Sequence, residues 1–573
     1  MSDRMESDPT DDGRNGPVKT VLPIADWLPR YDRSWLPADV LAGITVAAAV
    51  LPEGMAYASL AGLPPETGLY AGLLALVVYV FVGTSQQVIY GPTSALAVLV
   101  ATGVGSVAVG GSPTEYATLI GATTVLVGVI SVLAWLFRLG FVVNFISESV
   151  LTGFSAGAAL YITATQLDKL FGISGASGTF FERVGFVLTH LGATNLPTLG
   201  IGLGALVLLA LGERYAKRVP TALLVVLLAT GLIAVTDLQR RGVTVVGRIP
   251  SGLPPISLPT PPPGTLPDLV PVAFALFLLS YVEGMGAVET FARRHDQRVD
   301  ADQELLADGL TNIAAGLGHG FVVGGSMSRS ALNDEIGGET QLVSGVSAVV
   351  LALVLVFFTD LFTTLPETVL AAVVIVAVAG LVDVPELRRI YRLDKLEFVT
   401  AASAFLGVLF FGMLAGVFIG VFVSLLVVVA RATYPNTATL GRLPGSDEFG
   451  DLSRHPESER VPGVLVYRVD AELFFANAPT IRAEVIDAVD DRETPVSLVV
   501  FDMRSSPTID LTAADMLASL AEDLDERGID SRLAEADGAV RDVLTAAAAA
   551  GPFDDMPLNE RVVTVIEEWK RER

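Results

Sequence analysis

The chain has 573 residues, 51% of them hydrophobic, with a mean hydropathy of +0.58. That is too apolar for a soluble protein of this length, and a net charge of −25 leaves no basic face for nucleic acid. The absence of cysteine excludes disulfides, thiol catalysis and Cys-ligated metals.

Residues 1–35 are polar and acidic, without the basic stub and short apolar core of a cleavable signal. They read as a disordered tail whose end, with Trp27 and Trp35, suits a membrane interface. From 36 to 435 the chain reads as a membrane domain, in which apolar runs near spanning length recur. Hydropathy and loop punctuation place about fourteen spans, centred near 47, 76, 99, 127, 155, 205, 227, 278, 310, 334, 351, 373, 405 and 424. Those at 99, 310 and 334 are short or interrupted by glycine and polar residues. Basic residues at Arg138, Arg214, Lys217, Arg218, Arg293, Arg294, Arg298, Arg388, Arg389, Arg392, Lys395 and Arg431 share one side if the N-terminus is cytoplasmic, although Lys169, Arg183, Arg240, Arg241 and Arg248 fall on the other. The Pro-rich stretch 250–271 then becomes a stiff external connection.

After 435 the composition changes. Residues 436–460 read as a linker, and 461–570 alternate strand-like runs (463–470, 496–502) with helical patterns, as a small soluble α/β domain does. From 436 to 573 there are 29 Asp/Glu and 14 Lys/Arg, so 14 − 29 = −15 of the charge lies there. This acidity is either a solvated tail or a carboxylate-covered surface of the kind that keeps a halophile's protein soluble. Its spread over a folded domain favours the halophile.

An internal repeat organises the membrane domain. In "VLPEGMAYASLAGLPPETGLYAG" (50–72) Glu53 follows Pro52 directly, and Glu53–Gly54–Met55 recurs as Glu283–Gly284–Met285. Thirty-eight residues after Glu53, Gly91–Pro92–Thr93–Ser94 opens a short apolar segment, and 42 residues after Glu283, Gly325–Ser326–Met327–Ser328 opens another. Two copies of about seven spans have opposite topologies, and paired Gly/Pro-interrupted segments point to a midplane binding site.

A helix that starts inside the membrane leaves unpaired N–H groups and a positive dipole end, which must line a cavity. Two such ends near Thr93 and Ser328 would make an anion site, with hydroxyls from both residues and a full charge from Arg329. Arg329 could equally be a structural partner for a carboxylate. Glu283 lies in the apolar stretch 270–288, where its ionised form is costly. Beside an anion site it is a natural proton-coupling group, or else a permanent partner of Arg329. The histidines (His190, His295, His319, His455) show no metal-ligand spacing, and there is no P-loop for ATP-driven transport.

The stretch "LPEGMAYASLAGLPPETGLYAG" resembles the signature of the SulP family of anion transporters. "GTSQQVIYGPTSALAVLV" (83–100) is similar to its third-span motif, and "ELLADGLTNIAAGLGHGFVVGGSMSRSALND" (304–334) to its span nine to ten segment. The C-terminal region resembles a STAS domain, including Asp510–Leu511–Thr512. The resemblance implies an all-α polytopic membrane domain of fourteen spans in two inverted repeats of seven, split into core and gate, followed by a cytoplasmic α/β STAS domain. It also implies a homodimer in the cell membrane and no enzymatic activity or cofactor. Carried over, the site comprises Glu53, Gly54, Met55, Pro92, Thr93, Ser326, Met327, Ser328 and Arg329, with Glu283 as the proton-coupling acid.

Two departures matter. Many members have glutamine where this chain has Glu53, so at least one of the two acids is expected to be protonated when a divalent anion binds. Sodium-coupled bicarbonate members carry a threonine about four residues after the span-eight acid, where this chain has Ala287. Thr512, phosphorylated in some STAS proteins, is expected here to cap the helix that follows it. The sequence therefore reads as a secondary transporter of small inorganic anions, sulfate first, driven by protons. A sodium-coupled bicarbonate transporter, a nucleobase transporter of the same architecture and a membrane-anchored sensor signalling through the STAS domain are the alternatives.

Overall fold

Apolar sequence of spanning length folds as helix because only a helix satisfies its own backbone in lipid. The computed structural model describes residues 21–108, 111–141, 147–215, 220–546, 553 and 558–573. Each expected centre lies in a helix. The first seven are α1 (Leu36–Leu60), α2 (Pro65–Val82), α3 (Ser94–Val107), α4 (Pro113–Leu136), α5 (Glu148–Phe171), α6 (Leu196–Tyr215) and α7 (Thr221–Ala234). The second seven are α8 (Leu266–Arg294), α9 (Ala301–Leu317), α10 (Met327–Ile336), α11 (Leu342–Phe357), α12 (Glu367–Ala379), α13 (Lys395–Phe411) and α14 (Met413–Thr433). Among the described residues, seven helical stretches are long and apolar enough to cross a membrane.

The packing carries the repeat. α4 lies on α9 as α11 lies on α2, α11 on α1 as α4 on α8, and α13 on α5 as α6 on α12. Each pairing maps onto the other when α1–α7 are exchanged for α8–α14. Two bundles result, one of α1–α4 with α8–α11 and one of α5–α7 with α12–α14. They meet where α1 touches α7 and α12, and where α3 touches α5 and α12. Glycines permit the closest approaches: a Cβ at Gly128 of α4 would stand 2.5 Å from the Gly309 carbonyl of α9.

Several expectations change. Of the expected tail, residues 1–20 lie outside the described residues, as do Lys217 and Arg218. Residues 24–35 are ordered into short helical turns, because Tyr31 sits edge-on between Trp27 and Trp35 and its hydroxyl donates to Asp39 at 3.1 Å. Pro52 does not break α1, which runs through it. The missing proline N–H leaves the Ala48 carbonyl without its intrahelical donor. Part of the Pro-rich stretch is helical, since α8 already begins at Leu266 with Pro267 in its first turn, where proline is tolerated.

The chain forms two units, divided between Ser424 and Leu425. The second contains a five-stranded sheet in the order β4-β3-β5-β6-β7, from β3 (Thr437–Arg442), β4 (Phe449–Asp451), β5 (Val464–Val469), β6 (Leu498–Asp502) and β7 (Asp530–Ala534). The expected linker 436–460 is thus a hairpin of this sheet: β3 pairs antiparallel with both β4 and β5. Ala438 and Leu440 are buried on one face, and Gly445 (φ +70°) turns the chain. Period-two burial divides β5 and β6. Leu465, Tyr467, Val499 and Phe501 pack with Ile481 of α15 (Ala478–Asp490) and Leu517 of α16 (Leu511–Glu526). Val464, Val466, Leu498 and Val500 pack with Ile566 and Trp569 near the C-terminus.

Candidate functional site

Two strands of three residues, β1 (Ile89–Gly91) and β2 (Gly324–Ser326), precede α3 and α10 and pair antiparallel with Tyr90 opposite Gly325. The pairing brings the starts of the two short helices together. α3 has 14 residues and α10 has 10, about 21 and 15 Å at 1.5 Å per residue, so neither crosses a bilayer alone. Each start is capped by a hydroxyl: Thr93 accepts from the Leu96 N–H, and Ser326 from the Arg329 N–H. Ser330 locks the pair by donating to the Ser326 carbonyl at 2.6 Å and accepting from the Ile89 N–H at 3.0 Å.

Arg329 projects from the first turn of α10 and is 1% exposed. Its Nη1 lies 3.3 Å from Oε2 of Glu53 on α1. Nε and Nη2 are buried without a hydrogen-bond partner. Nη2 lies over Gly91, where a Cβ would stand only 3.3 Å away, so the missing side chain makes room for the guanidinium. Across the site the Thr93 hydroxyl donates to Oε2 of Glu283 on α8 at 3.1 Å. Ser326 and Ser328 hydroxyls are 3.4 Å apart. Two helix N-termini, a buried guanidinium with unengaged donors and three hydroxyls can hold an anion.

The predicted residues therefore divide. Glu53, Thr93, Glu283, Ser326, Ser328 and Arg329 are the polar frame of one place. Gly54 meets Gly68 of α2, where a Cβ would run into the Gly54 carbonyl; Met55 is fully buried and Pro92 packs near Gly72. These three shape the packing behind the frame. Met327 is 45% exposed, and Ser328 beside it is also exposed.

Sequence reasoning missed the support behind β2. Asp308 of α9, fully buried, accepts from Ser280 at 2.6 Å and Ser131 at 2.8 Å. Asn312, one turn on, pairs with both the N–H and carbonyl of Val323, each at 3.0 Å. Val323 leads into β2, and Ser280 sits one turn before Glu283, so this cluster fixes both halves of the second repeat's contribution. Glu304, Asp308 and Asn312 at four-residue spacing on an apolar helix were the available signal.

Known proteins resemble the chain in sequence and in fold. Residues 36–404 match the sulfate permease family and residues 455–563 the STAS domain. A probable sulfate transporter of Mycobacterium tuberculosis is 37% identical over 553 residues, covering 96% of this chain and 99% of the relative. High affinity sulfate transporter 1 of Stylosanthes hamata is 31% identical over 540 residues, covering 90% and 81%. In fold, the chain is similar to the murine Solute Carrier 26 family member A9 anion transporter in the inward-facing state, with a TM-score of 0.87, 23% identity and coverage of 99% and 97%. The transmembrane domain of a cyanobacterial bicarbonate transporter, BicA, aligns with a TM-score of 0.60 at 19% identity, covering 69% and 98%.

Proposed function

The chain belongs to the sulfate permease family, and from that premise we propose that it is a secondary active transporter of small inorganic anions, sulfate first, coupled to protons. The observation that carries this reading is the buried Arg329 guanidinium, with Nε and Nη2 unpartnered, at the meeting of two helix N-termini. A desolvated cation of this kind is stabilised by an anion that accepts from its free donors. The named sulfate transporters among its relatives support sulfate as that anion.

The crosswise bonds suggest how a proton assists. An ionised Glu283 engages the Thr93 hydroxyl as donor. Protonation removes the negative charge and lets that hydroxyl turn toward an arriving anion, while Glu53 yields part of Arg329. Movement of the α1–α4/α8–α11 bundle against the α5–α7/α12–α14 bundle then exposes the site to alternate sides. The same reading has the N-terminus and STAS domain cytoplasmic, in the cell membrane, with two copies forming a homodimer.

The test is uptake of labelled sulfate into proteoliposomes with a panel of competing anions, with and without sodium and a pH gradient. Sulfate uptake raised by an inward proton gradient and indifferent to sodium is expected. Sodium-dependent bicarbonate uptake would replace this reading with a sodium-coupled one, against which stands the fully buried methyl of Ala287 where a hydroxyl ligand would be needed. Binding without flux would make the protein a sensor.

A further inference from the structure

A cavity of about 790 Å³, lined by polar and apolar residues, lies beyond the end of α1 and along α3 from Val98 to Ser106, bounded on its other side by α5, residues 178–183, Phe411 and Gly412. It shares α1 and α3 with the candidate site. Ser59 stands six residues after Glu53 on α1, about 9 Å further along at 1.5 Å per residue. The cavity is therefore next along the same seam between the two bundles, on the side toward which α3 points.

Its charges are unevenly engaged. The acids are held by their own backbone: Asp168 accepts from the Lys169 N–H at 2.8 Å, and Glu182 from the Thr179 N–H at 2.7 Å and its hydroxyl at 3.0 Å. Lys169 donates to the Ser59 hydroxyl at 2.8 Å and to the Ser59 carbonyl at 3.5 Å, with the carboxylates of Glu367 and Asp168 acting on it through space, which leaves one of an ammonium's three donors for a further acceptor. Arg183 donates Nε to the Gly178 carbonyl and Nη1 to the Ala176 carbonyl, two of five N–H groups. Ser59, Thr102, Ser106 and Thr165 also line the cavity, the last three with hydroxyls that donate to carbonyls of their own helices.

We propose that this cavity is a second anion site, a vestibule in which Lys169 and Arg183 hold a hydrated oxyanion on its way to or from Arg329. The proposal rests on the transport reading above. It has a mechanical consequence: Lys169 belongs to one bundle and Ser59 to the other, so an anion that draws Lys169 off Ser59 loosens the contact between them.

The full chain in proteoliposomes tests this with two variants. In Lys169→Gln, the apparent KM for sulfate presented on the vestibule side rises about fivefold while the KM on the opposite side stays put, and Lys169→Arg recovers most of the loss. Equal rises on both sides, or no rise, would overturn the vestibule. The second variant places the chain's only thiol at Gly105, which lines the cavity and where a Cβ meets nothing within 4 Å. Sulfate should slow modification of Gly105→Cys by an impermeant anionic thiol reagent several-fold. That protection should vanish with Lys169→Gln and survive Arg329→Ala. Reactivity indifferent to sulfate sinks the site, and protection lost with Arg329→Ala assigns the effect to the central site instead. If the wild-type chain moves no sulfate but Gly105→Cys is protected, the transport reading fails and the anion site stands.

Discussion

The two repeats use one backbone device with different chemistry. Each brings an acid on a long helix (Glu53 on α1, Glu283 on α8) and a capped short helix (α3, α10) to the same place. Yet each acid bonds to the other repeat: Glu53 to Arg329, Glu283 to Thr93. The first repeat's acid thus faces a permanent cation, whereas the second's faces a hydroxyl. The backbone cradle is shared, but three residues after the cap the first repeat has Leu96 and the second has Arg329, so the two acids meet different partners.

The largest effect should come from removing the asymmetry at its source. Arg329→Ala takes the arginine partner from Glu53, a loss of about 3–5 kcal/mol for a broken buried pair, and removes the full charge that an anion meets. Sulfate binding should fall more than about 100-fold. Pairing it with Glu53→Gln separates the two losses: thermal stability should largely return, while binding should not. Recovery of binding in the double variant would make Arg329 a structural partner only.

Glu283→Gln comes next. An amide keeps the shape and still accepts from Thr93 but cannot exchange a proton, so sulfate exchange should persist while gradient-driven uptake falls to its level without a gradient. Uptake that still follows the pH gradient would move the coupling elsewhere, Glu53 being the first place to look.

Much of this comparison was legible in the sequence, for physical reasons. Lipid imposes helix on any apolar run of sufficient length, so the centres were readable even at 99, 310 and 334, where glycine and serine break the pattern. Glu-Gly-Met repeated with matched downstream interruptions located both halves of the site. What could not be read was pairing across hundreds of residues. Nothing local says that Asp308 meets Ser131 and Ser280, or that the Asn312 amide clasps Val323. The strands β3 and β4 escaped for a related cause. Thr437–Arg442 is short and half polar, and becomes a strand because β5 offers it partners.

Glu53→Gln sharpens the contrast from the other side, with a smaller effect. The amide oxygen can still accept from Arg329, so the cost to stability should be about 1–2 kcal/mol. With the competing carboxylate gone, sulfate should bind about three- to tenfold tighter, read by titration in detergent. Weaker binding would mean that Glu53 orients Arg329 rather than competing for it.

The smallest effect concerns the STAS unit, where two cap-competent residues stand two apart. Thr512 was the expected cap of α16, but Asp510 is the N-cap: its Oδ1 accepts from the Ala513 N–H at 2.8 Å and its Oδ2 from the Phe475 N–H at 2.8 Å. Thr512 lies exposed in the first turn, its hydroxyl unneeded for the cap. Asp510 prevails because a carboxylate at a helix N-terminus meets the dipole with a full charge and can serve two donors at once. Asp510→Ala in the full chain should therefore lower the stability of this unit by about 1 kcal/mol, as hydrogen exchange over α16 would read. Thr512→Ala should stay within about 0.5 kcal/mol. The reverse order would return the cap to Thr512 and leave Asp510 as a tie between Phe475 and the helix start.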